Sequence, residues 1–506
     1  MYINKCLLVL LLCCLTLKSV NLLLIREADN RQHNQTNADP IVIEVSWTAH
    51  DYNLHTIPSL QLVTNPLVSR QFSPVSKEIF ANLKQLNAEY ARYAVWFPYP
   101  KLAVAELDPP SGLLQCSNVG ENYPLHLSCE RNGGVISQID FASYGTAMGA
   151  CGQMKQGSCH SNNSLSIVQR ICIGQKSCTI IATNDIFGDP CYEYNWDYTE
   201  IFNEIEGEHQ MSIEYYTRAY DAVIQGIRRH TNNYDMKYVG MALENHNEFN
   251  FYKYFLNHSN HAPDIPLDMI SYHFYAIGTS RTDPQSWENF FPQLDKFTIE
   301  VEQIEQIRKN LSPQTRTTID ELGVILPNDN DPNAPLFPLI YWNAAAALYA
   351  YSWGKLSRQN IDVVGHSQLV GYPQLPNLQL EPQYPSVALL NWTTGEGTAK
   401  YWISKLLIDT ADIDNDQAVI TRTSDIGDQN IFSQAFTSKN NRRWILIINK
   451  RYASMDVSLS GCIGGKMQII NEASGFGPPT EITLTSNQIT LTPFAIAIIH
   501  MPTAKK

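Results

Sequence analysis

Two glutamates that end extended segments are the residues of this sequence best placed to carry out chemistry together. Glu204 follows the apolar pair Ile201-Phe202 and precedes an amphipathic helical pattern that begins near Ser212. Glu321 ends the extended run that starts at Thr317. When two carboxyl groups face one pocket, one can protonate a leaving oxygen while the other attacks or stabilises the sugar carbon. The pair therefore predicts hydrolysis of a glycosidic bond.

The segments between these glutamates indicate the elements that position them. Strand-like runs at 237–243 and 267–275 alternate with helical patterns. This alternation predicts a parallel sheet, and carboxylates at strand ends are typical of the rim of a (β/α)8 barrel. Glu204 and Glu321 are then three strand-helix units apart, across the barrel mouth. The run 243–248 also follows a strand, so Glu244 and Glu248 remain alternatives, although we interpret it as a rim loop.

The flanking segments predict further strands and a second domain. Residues 41–47 and 59–68 are extended and precede the barrel, whose first strand we expect at 90–97 within a unit spanning 41–111. The remainder of the barrel is expected over 195–411. From 412 to 506 short alternating strands are separated by turn residues, which predicts a C-terminal antiparallel β-sandwich. The early strands are candidates to complete that sandwich.

The amino terminus and the charge predict a secreted protein. Residues 1–20 place Lys5 before a short apolar segment that Lys18 interrupts, which is typical of a cleaved signal peptide. An uncleaved anchor that also uses 22–25 is the alternative; after signal removal no membrane span is expected. The net charge of -13 disfavours nucleic acid as a partner. Five glycosylation sequons, at Asn34, Asn162, Asn257, Asn310 and Asn391, fit an extracellular location.

The cysteines predict disulfides rather than a metal site. The sequence contains no His-Glu-X-X-His run and no Cys-X-X-Cys pair, so we expect neither metal nor cofactor. A dense group of cysteines within 76 residues is typical of a disulfide framework in an oxidising compartment. The disulfide candidates are Cys116, Cys129, Cys151, Cys159, Cys172, Cys178 and Cys191.

The segments around both glutamates resemble clan A retaining glycoside hydrolases related to family 39. The resemblance implies that Glu204 is the general acid and base and that Glu321 is the nucleophile, acting on an oligo- or polysaccharide. It also implies that Asn203, His273 and Tyr275 bind substrate. The alternation of strand side chains places His273 and Tyr275 on one face, although both are also compatible with a structural role in the core. The similar runs lie at 93–110, 200–209, 216–221, 239–243, 265–275, 317–323 and 361–365.

The cysteine-rich segment 112–194 resembles a SUEL-type lectin domain, which binds galactose or rhamnose. The resemblance implies that Tyr144 and Asp189 contact a galactose- or rhamnose-like sugar. Thr146 stands where the family has arginine. The similar motifs are 127–130, 139–145, 149–153, 157–160, 172–178 and 187–191.

The position of this insert raises a second hypothesis. It occupies the interval between Pro110 and Trp196, in which the similar hydrolases carry their second and third barrel strands. The sequence therefore predicts an incomplete barrel, with about six of eight strands. The alternative function is a non-catalytic secreted carbohydrate-binding protein that keeps the barrel as a scaffold. We expect Arg92, on the first strand, either to orient one of the acids or to form a buried ion pair.

Overall fold

The computed structural model describes two large sheets and one small hairpin. It covers residues 39–63, 65–68, 75–94, 119, 124–128, 135–144, 161–187, 198–231, 236–375 and 381–502, so the predicted signal peptide at 1–20 lies outside the described residues. In chain order the strands are β1 Ile41–Asn53, β2 Ile57–Val63, β3 Ala91–Ala94, β4 Pro124–Ser128, β5 Ser177–Ile181, β6 Tyr198–Glu200, β7 Lys237–Leu243, β8 Met269–Ile277, β9 Arg316–Ile325, β10 Val363–His366, β11 Asp416–Thr423, β12 Ile431–Ser438, β13 Arg443–Asn449, β14 Met455–Leu459, β15 Lys466–Ile470, β16 Thr480–Thr483, β17 Gln488–Leu491 and β18 Ile496–His500.

Helices alternate with the strands of the first sheet, as the sequence predicts for a barrel. None of the helices in the described ranges combines the length and hydropathy needed to cross a bilayer. In chain order the helices of the described residues are α1 Ser76–Leu86, α2 Ser164–Cys172, α3 Asn184–Phe187, α4 Ile213–Thr231, α5 Phe249–Phe255, α6 Phe290–Leu311, α7 Ile340–Arg358 and α8 Ala399–Thr410.

The first sheet is a parallel, barrel-type sheet of seven strands in the order β3-β2-β10-β9-β8-β7-β6. Every neighbouring pair is parallel. Strand β2 is buried at every residue, and β9 at all but its two ends, because helices cover one face of the sheet and barrel side chains fill the other. The buried apolar side chains of these strands and of α4, α6 and α7 form the largest core of the described residues.

The position of β2 corrects the predicted strand count. The sequence predicted that residues 59–68 precede the barrel and that the barrel has about six strands, with the second and third missing. Instead β2 pairs with both β10 and β3, so it is the first barrel strand and β3 is the second. Within the described residues one position of an eight-stranded barrel is open, between β3 and β6. The error arose because a strand buried on both faces carries no alternating pattern to show which sheet it joins.

The second sheet has nine strands and includes one from the start of the chain. Its order is β16-β15-β18-β13-β12-β11-β1-β14-β17, and β1 pairs parallel with β14, so it is not purely antiparallel as predicted. Along β13 the side chains alternate between two cores. Trp444 and Leu446 face the barrel core, whereas Ile445 and Ile447 face a second core within the sheet. Of the two early segments expected to complete this domain, 41–47 joins it as part of β1, whereas 59–68 does not, because β2 belongs to the first sheet.

Candidate active site

A β-bulge turns two consecutive acidic side chains of β9 into the protein interior. The register of β9 shifts against β8 between Ser271 and His273, and against β10 between Val364 and His366. The extra residue breaks the usual alternation of side chains, and Asp320 and Glu321 both reach Arg92. Strand β10 has glycine beside the bulge: a Cβ on Gly365 would lie 2.8 Å from the carbonyl oxygen of Asp320.

Glu321 is held as a carboxylate by donors from three strands. Gln61 Nε2 on β2 donates to its Oε1 at 2.6 Å, and Tyr275 OH on β8 donates to its Oε2 at 2.7 Å. Arg92 on β3 also donates to Oε1. Burial alone would raise the pKa of Glu321, but the nearby charges of His273 and Arg92 and the hydrogen bonds lower it to about 2.

His273 lies between Glu204 and Glu321. Its Nδ1 is 2.9 Å from Glu204 Oε1 and 3.7 Å from Glu321 Oε2. Burial favours the neutral ring, but the negative charge of Glu321 and the hydrogen bond with Glu204 raise the pKa of His273 to about 9. The facing oxygens of the two glutamates and the His273 nitrogen lie within 4.8 Å of one another. The two acids therefore share one small, charged pocket.

The backbone of the loop after β6 brings Glu204 into this pocket. Phe202 and Glu204 both have positive φ, 67° and 42°, which turns the chain sharply after the strand. The Glu204 N–H donates to the carbonyl oxygen of Ala242 at 2.8 Å, which anchors the turn to the end of β7. Strained backbone of this kind persists where the surrounding structure fixes it, and it is frequent at functional sites.

Arg92 connects the two edges of the open barrel. From β3, its Nη2 lies 2.6 Å from Glu200 Oε2 on β6 and donates to Asn203 Oδ1 at 2.6 Å. Its Nε lies 2.8 Å from Asp320 Oδ2. Although burial raises the pKa of Glu200, Arg92 and the hydrogen bonds of Glu200 lower it overall, whereas burial and the charge of Glu200 raise the pKa of Asp320.

The structure brings together Asn203, Glu204, His273, Tyr275 and Glu321, all of which the sequence identified. The carboxylate of Glu204 contacts the ring of His273. The rim loop residue Glu244 is exposed and packs on Gly207, where a Cβ would lie 2.3 Å from its Oε2.

Three contacts of the site escaped sequence reasoning. Gln61 and Asp320 were not recognised, because β2 was placed outside the barrel and the bulge of β9 has no sequence signal. Ser367 was also missed; its hydroxyl donates to Gln61 Oε1 at 2.6 Å and lies 2.8 Å from Tyr275 OH. The Asp-Glu pair of β9 was the one available hint, because two adjacent carboxyls in a buried strand need special partners.

The same three groups, Glu204, His273 and Glu321, are close enough together to bind a cation. Their chemistry does not favour it. A metal ligand must be a neutral imidazole, whereas the raised pKa of His273 keeps its ring protonated. Arg92 already occupies one oxygen of Glu321. The donor set therefore fits acid-base chemistry better than metal binding.

The described part of the cysteine-rich segment forms a small unit. Strands β4 and β5 pair antiparallel, and Cys172 at the end of α2 is bonded to Cys178 on β5. The ring of Tyr144 stacks on Phe187 at a centroid distance of 4.9 Å. Cys462, in the turn between β14 and β15, is buried and free. Asp189 and the candidate cysteines Cys116, Cys129, Cys151, Cys159 and Cys191 lie outside the described residues.

Comparison with known sequences identifies this segment. Residues 127–197 match the family described as the D-galactoside/L-rhamnose binding SUEL lectin domain. Over 67 residues the chain is 46% identical to Beta-galactosidase 6 of Oryza sativa subsp. japonica, which covers 13% of this chain and 8% of that protein. Over 96 residues it is 41% identical to Beta-galactosidase 8 of Arabidopsis thaliana, covering 18% and 11%. The matches thus span about a tenth of these relatives' length.

Solved structures with a similar fold align with most of the chain. A family 51 α-L-arabinofuranosidase from Bifidobacterium longum has a TM-score of 0.53 and 13% identity, covering 92% of this chain and all of that one. An α-L-arabinofuranosidase from Thermotoga petrophila has a TM-score of 0.53, 14% identity and 92% and 100% coverage. At this identity the likeness shows the fold alone. The chain therefore has the barrel-type fold of these glycoside hydrolases and carries a segment similar to SUEL lectin domains.

Proposed function

We propose that this protein is a secreted glycoside hydrolase that cleaves O-glycosidic bonds with retention of configuration. The observation that carries the proposal is the pair Glu204 and Glu321, whose facing oxygens lie within 4.8 Å of each other, with Glu321 ionised. Retaining enzymes hold their two carboxyl groups ~5 Å apart, whereas inverting enzymes leave room for a water between them. The resemblance to clan A enzymes related to family 39 assigns the same two residues.

The contacts of the two glutamates support different roles in the two steps of a retaining reaction, which are formation and hydrolysis of a glycosyl-enzyme bond. Glu321 is ionised and attacks the sugar carbon, while Glu204 gives its proton to the leaving oxygen. Glu204 then removes a proton from the water that hydrolyses the glycosyl-enzyme bond. Tyr275 and Arg92 orient Glu321 for attack, and His273 keeps Glu204 directed at the same centre.

The substrate we propose is an oligo- or polysaccharide bound through two sites. The barrel pocket would accept the sugar to be cleaved, with Asn203, His273 and Tyr275 in contact with it. The lectin-like segment, through Tyr144 and Asp189, would hold a galactose- or rhamnose-like sugar of the same or a neighbouring chain. A weak second site of this kind raises apparent affinity because it increases the local substrate concentration.

The proposal is tested by screening aryl glycosides, including β-D-galactosides and α-L-arabinofuranosides, with NMR detection of the first anomer released. We expect the product to have the configuration of the substrate. Glu321→Gly should abolish turnover, and azide should restore it by replacing the missing nucleophile. Glu204→Ala should lose most activity on poor leaving groups and less on good ones. Glu244→Gln is the control and should retain activity. An inverted first product would refute the mechanism.

A second candidate is a non-catalytic carbohydrate-binding protein. The match of residues 127–197 to the SUEL lectin family and the open position between β3 and β6 favour it. Binding of galactose or rhamnose to the full chain, measured by calorimetry, combined with no turnover of any aryl glycoside, would support this candidate over the hydrolase.

A further inference from the structure

The charges beneath the catalytic pair do not balance if every acid is ionised. The cations Arg92 and His273 face four carboxyl groups from two strands and the loop after β6. An uncompensated charge in a buried site is expensive, and such a group is neutralised by protonation instead. Two cations balance two of the four acids, and Glu204 holds a proton in the proposed mechanism, so one further acid is expected to be protonated. The four acids are Glu200, Glu204, Asp320 and Glu321.

Among the other three acids, the partners of each carboxyl identify the one that is least stabilised as an anion. Glu321 accepts from Gln61, Arg92 and Tyr275. Glu200 accepts from Arg92 and from the Ser271 hydroxyl at 2.6 Å. Asp320 is different: its Oδ2 contacts Arg92, while its buried Oδ1 has no hydrogen-bond donor. The ring nitrogen nearest to it, His273 Nε2, is 3.6 Å away.

The position of Asp320 beside Glu200 supports the same conclusion. Glu200 Oε2 lies 2.7 Å and Asp320 Oδ2 lies 2.8 Å from the same nitrogen, Arg92 Nε, which carries one hydrogen. Two ionised carboxylates in that position would repel each other, whereas one proton between them replaces the repulsion by a hydrogen bond. The raised pKa of Asp320 and the lowered pKa of Glu200 place that proton on Asp320, in agreement with the donors around each group.

From this geometry we infer that Asp320 is a neutral carboxylic acid that donates to Glu200, and that Arg92 and His273 then compensate Glu200 and Glu321. Asp320 is thus a positioning residue. It faces Arg92 from β3, Glu200 from β6, His273 from β8 and Glu321 on its own strand. An ionised Asp320 would compete with Glu321 for the same guanidinium and weaken the hold on the nucleophile.

The inference deepens the proposed function, but its test does not use turnover, so either can fail without the other. Asp320→Asn keeps the shape and replaces the acid O–H by an amide N–H, which can donate to Glu200 in the same way. We expect this variant to melt within about 2 °C of the unmodified protein at neutral pH. Its infrared spectrum in D2O should lose a carbonyl stretch of protonated carboxylic acid that the unmodified protein shows.

Asp329→Asn is the matched control. Asp329 is buried and accepts from Arg281 at 2.5 Å and from the Ser386 hydroxyl at 2.5 Å, with no second carboxyl in contact. A neutral amide there leaves the buried Arg281 without its counter-charge, so we expect a loss of at least about 5 °C. If Asp320→Asn loses as much as Asp329→Asn, or if it removes no infrared band, Asp320 is an ordinary ionised partner of Arg92 and the inference is wrong.

Discussion

Removal of the Arg92 guanidinium is expected to be the most damaging single change in the barrel. Arg92 contacts Glu200, Asp320 and Glu321 at once. The pKa of Glu321, lowered to about 2, corresponds to about 3 kcal/mol of folding free energy when compared with an unfolded glutamate. Arg92 shares this effect with His273 and Tyr275, but its loss also leaves Glu200 without a cation. Breaking a buried ion pair typically costs about 3–5 kcal/mol.

The sign of the pH dependence follows from the direction of the shift. A glutamate with a lowered pKa stabilises the fold above its unfolded value, about 4.3, and loses that contribution as the pH falls toward 2. Arg92→Met should therefore be destabilised by about 3 kcal/mol near pH 7, and the deficit should shrink near about pH 2.5, because the contribution of Glu321 is mostly lost between about pH 4 and 2. Urea unfolding followed by tryptophan fluorescence measures both, since Trp287 and Trp353 are buried in the barrel core.

Arg316→Met provides a matched comparison on β9. Arg316 pairs with Asp362 at 2.9 Å, but both side chains are partly exposed, 33% and 21%. Pairs of that kind contribute little, about 0–1 kcal/mol. If Arg92→Met were no less stable than Arg316→Met, or if its deficit were the same at both pH values, the assignment of Arg92 as the counter-charge of the buried acids would be refuted.

Two further predictions concern the charge of His273 and the lectin-like unit. A histidine with its pKa raised to about 9 stabilises the fold fully below about pH 6.5 and loses this contribution as the pH rises through 9. Over this range the free energy of unfolding of the unmodified protein should therefore fall by up to about 3 kcal/mol, a loss that His273→Gln should not show. Urea midpoints between about pH 6 and 10 test this, and equal slopes in both proteins would contradict it. The Cys172–Cys178 bond closes a loop of six residues, so Cys172→Ser should destabilise that unit by about 2 kcal/mol. Faster hydrogen exchange confined to residues 161–187 is the expected result, and unchanged exchange there would count against it.

The sequence predicted which residues meet at the site better than the sheet around them. Glu204 could be found because it follows an extended run, and His273 and Tyr275 because strand alternation puts them on one face. Glu321 was expected to end its strand, but β9 continues to Ile325. Strand β7 occupies 237–243 as predicted, and β8 begins two residues later than expected. These features depend on local patterns, which a single sequence carries.

What escaped prediction depends on contacts that are distant in sequence. Gln61 meets Glu321 across 260 residues, and Arg92 meets it across 229. The bulge that buries Asp320 beside Glu321 is set by the register of β9 against both neighbours, which no local pattern encodes. His273 likewise reaches Glu204 across 69 residues.

The position left open between β3 and β6 in the described residues does not affect the two acids equally. The proposed nucleophile Glu321 lies on β9, whose neighbours β8 and β10 are both in place, and β2 beyond β10 supplies Gln61. The proposed acid Glu204 follows β6, which is an edge strand of the described sheet and pairs with β7 through only three residues, Tyr198 to Glu200. On its other side Arg92 supplies the one described link to β3, by binding Glu200 and Asn203. The position of the proposed catalytic pair therefore depends on the charge network beneath it more than on backbone pairing. For this reason the protonation state of Asp320 and the charge of Arg92 decide whether this barrel can hold both acids at one centre.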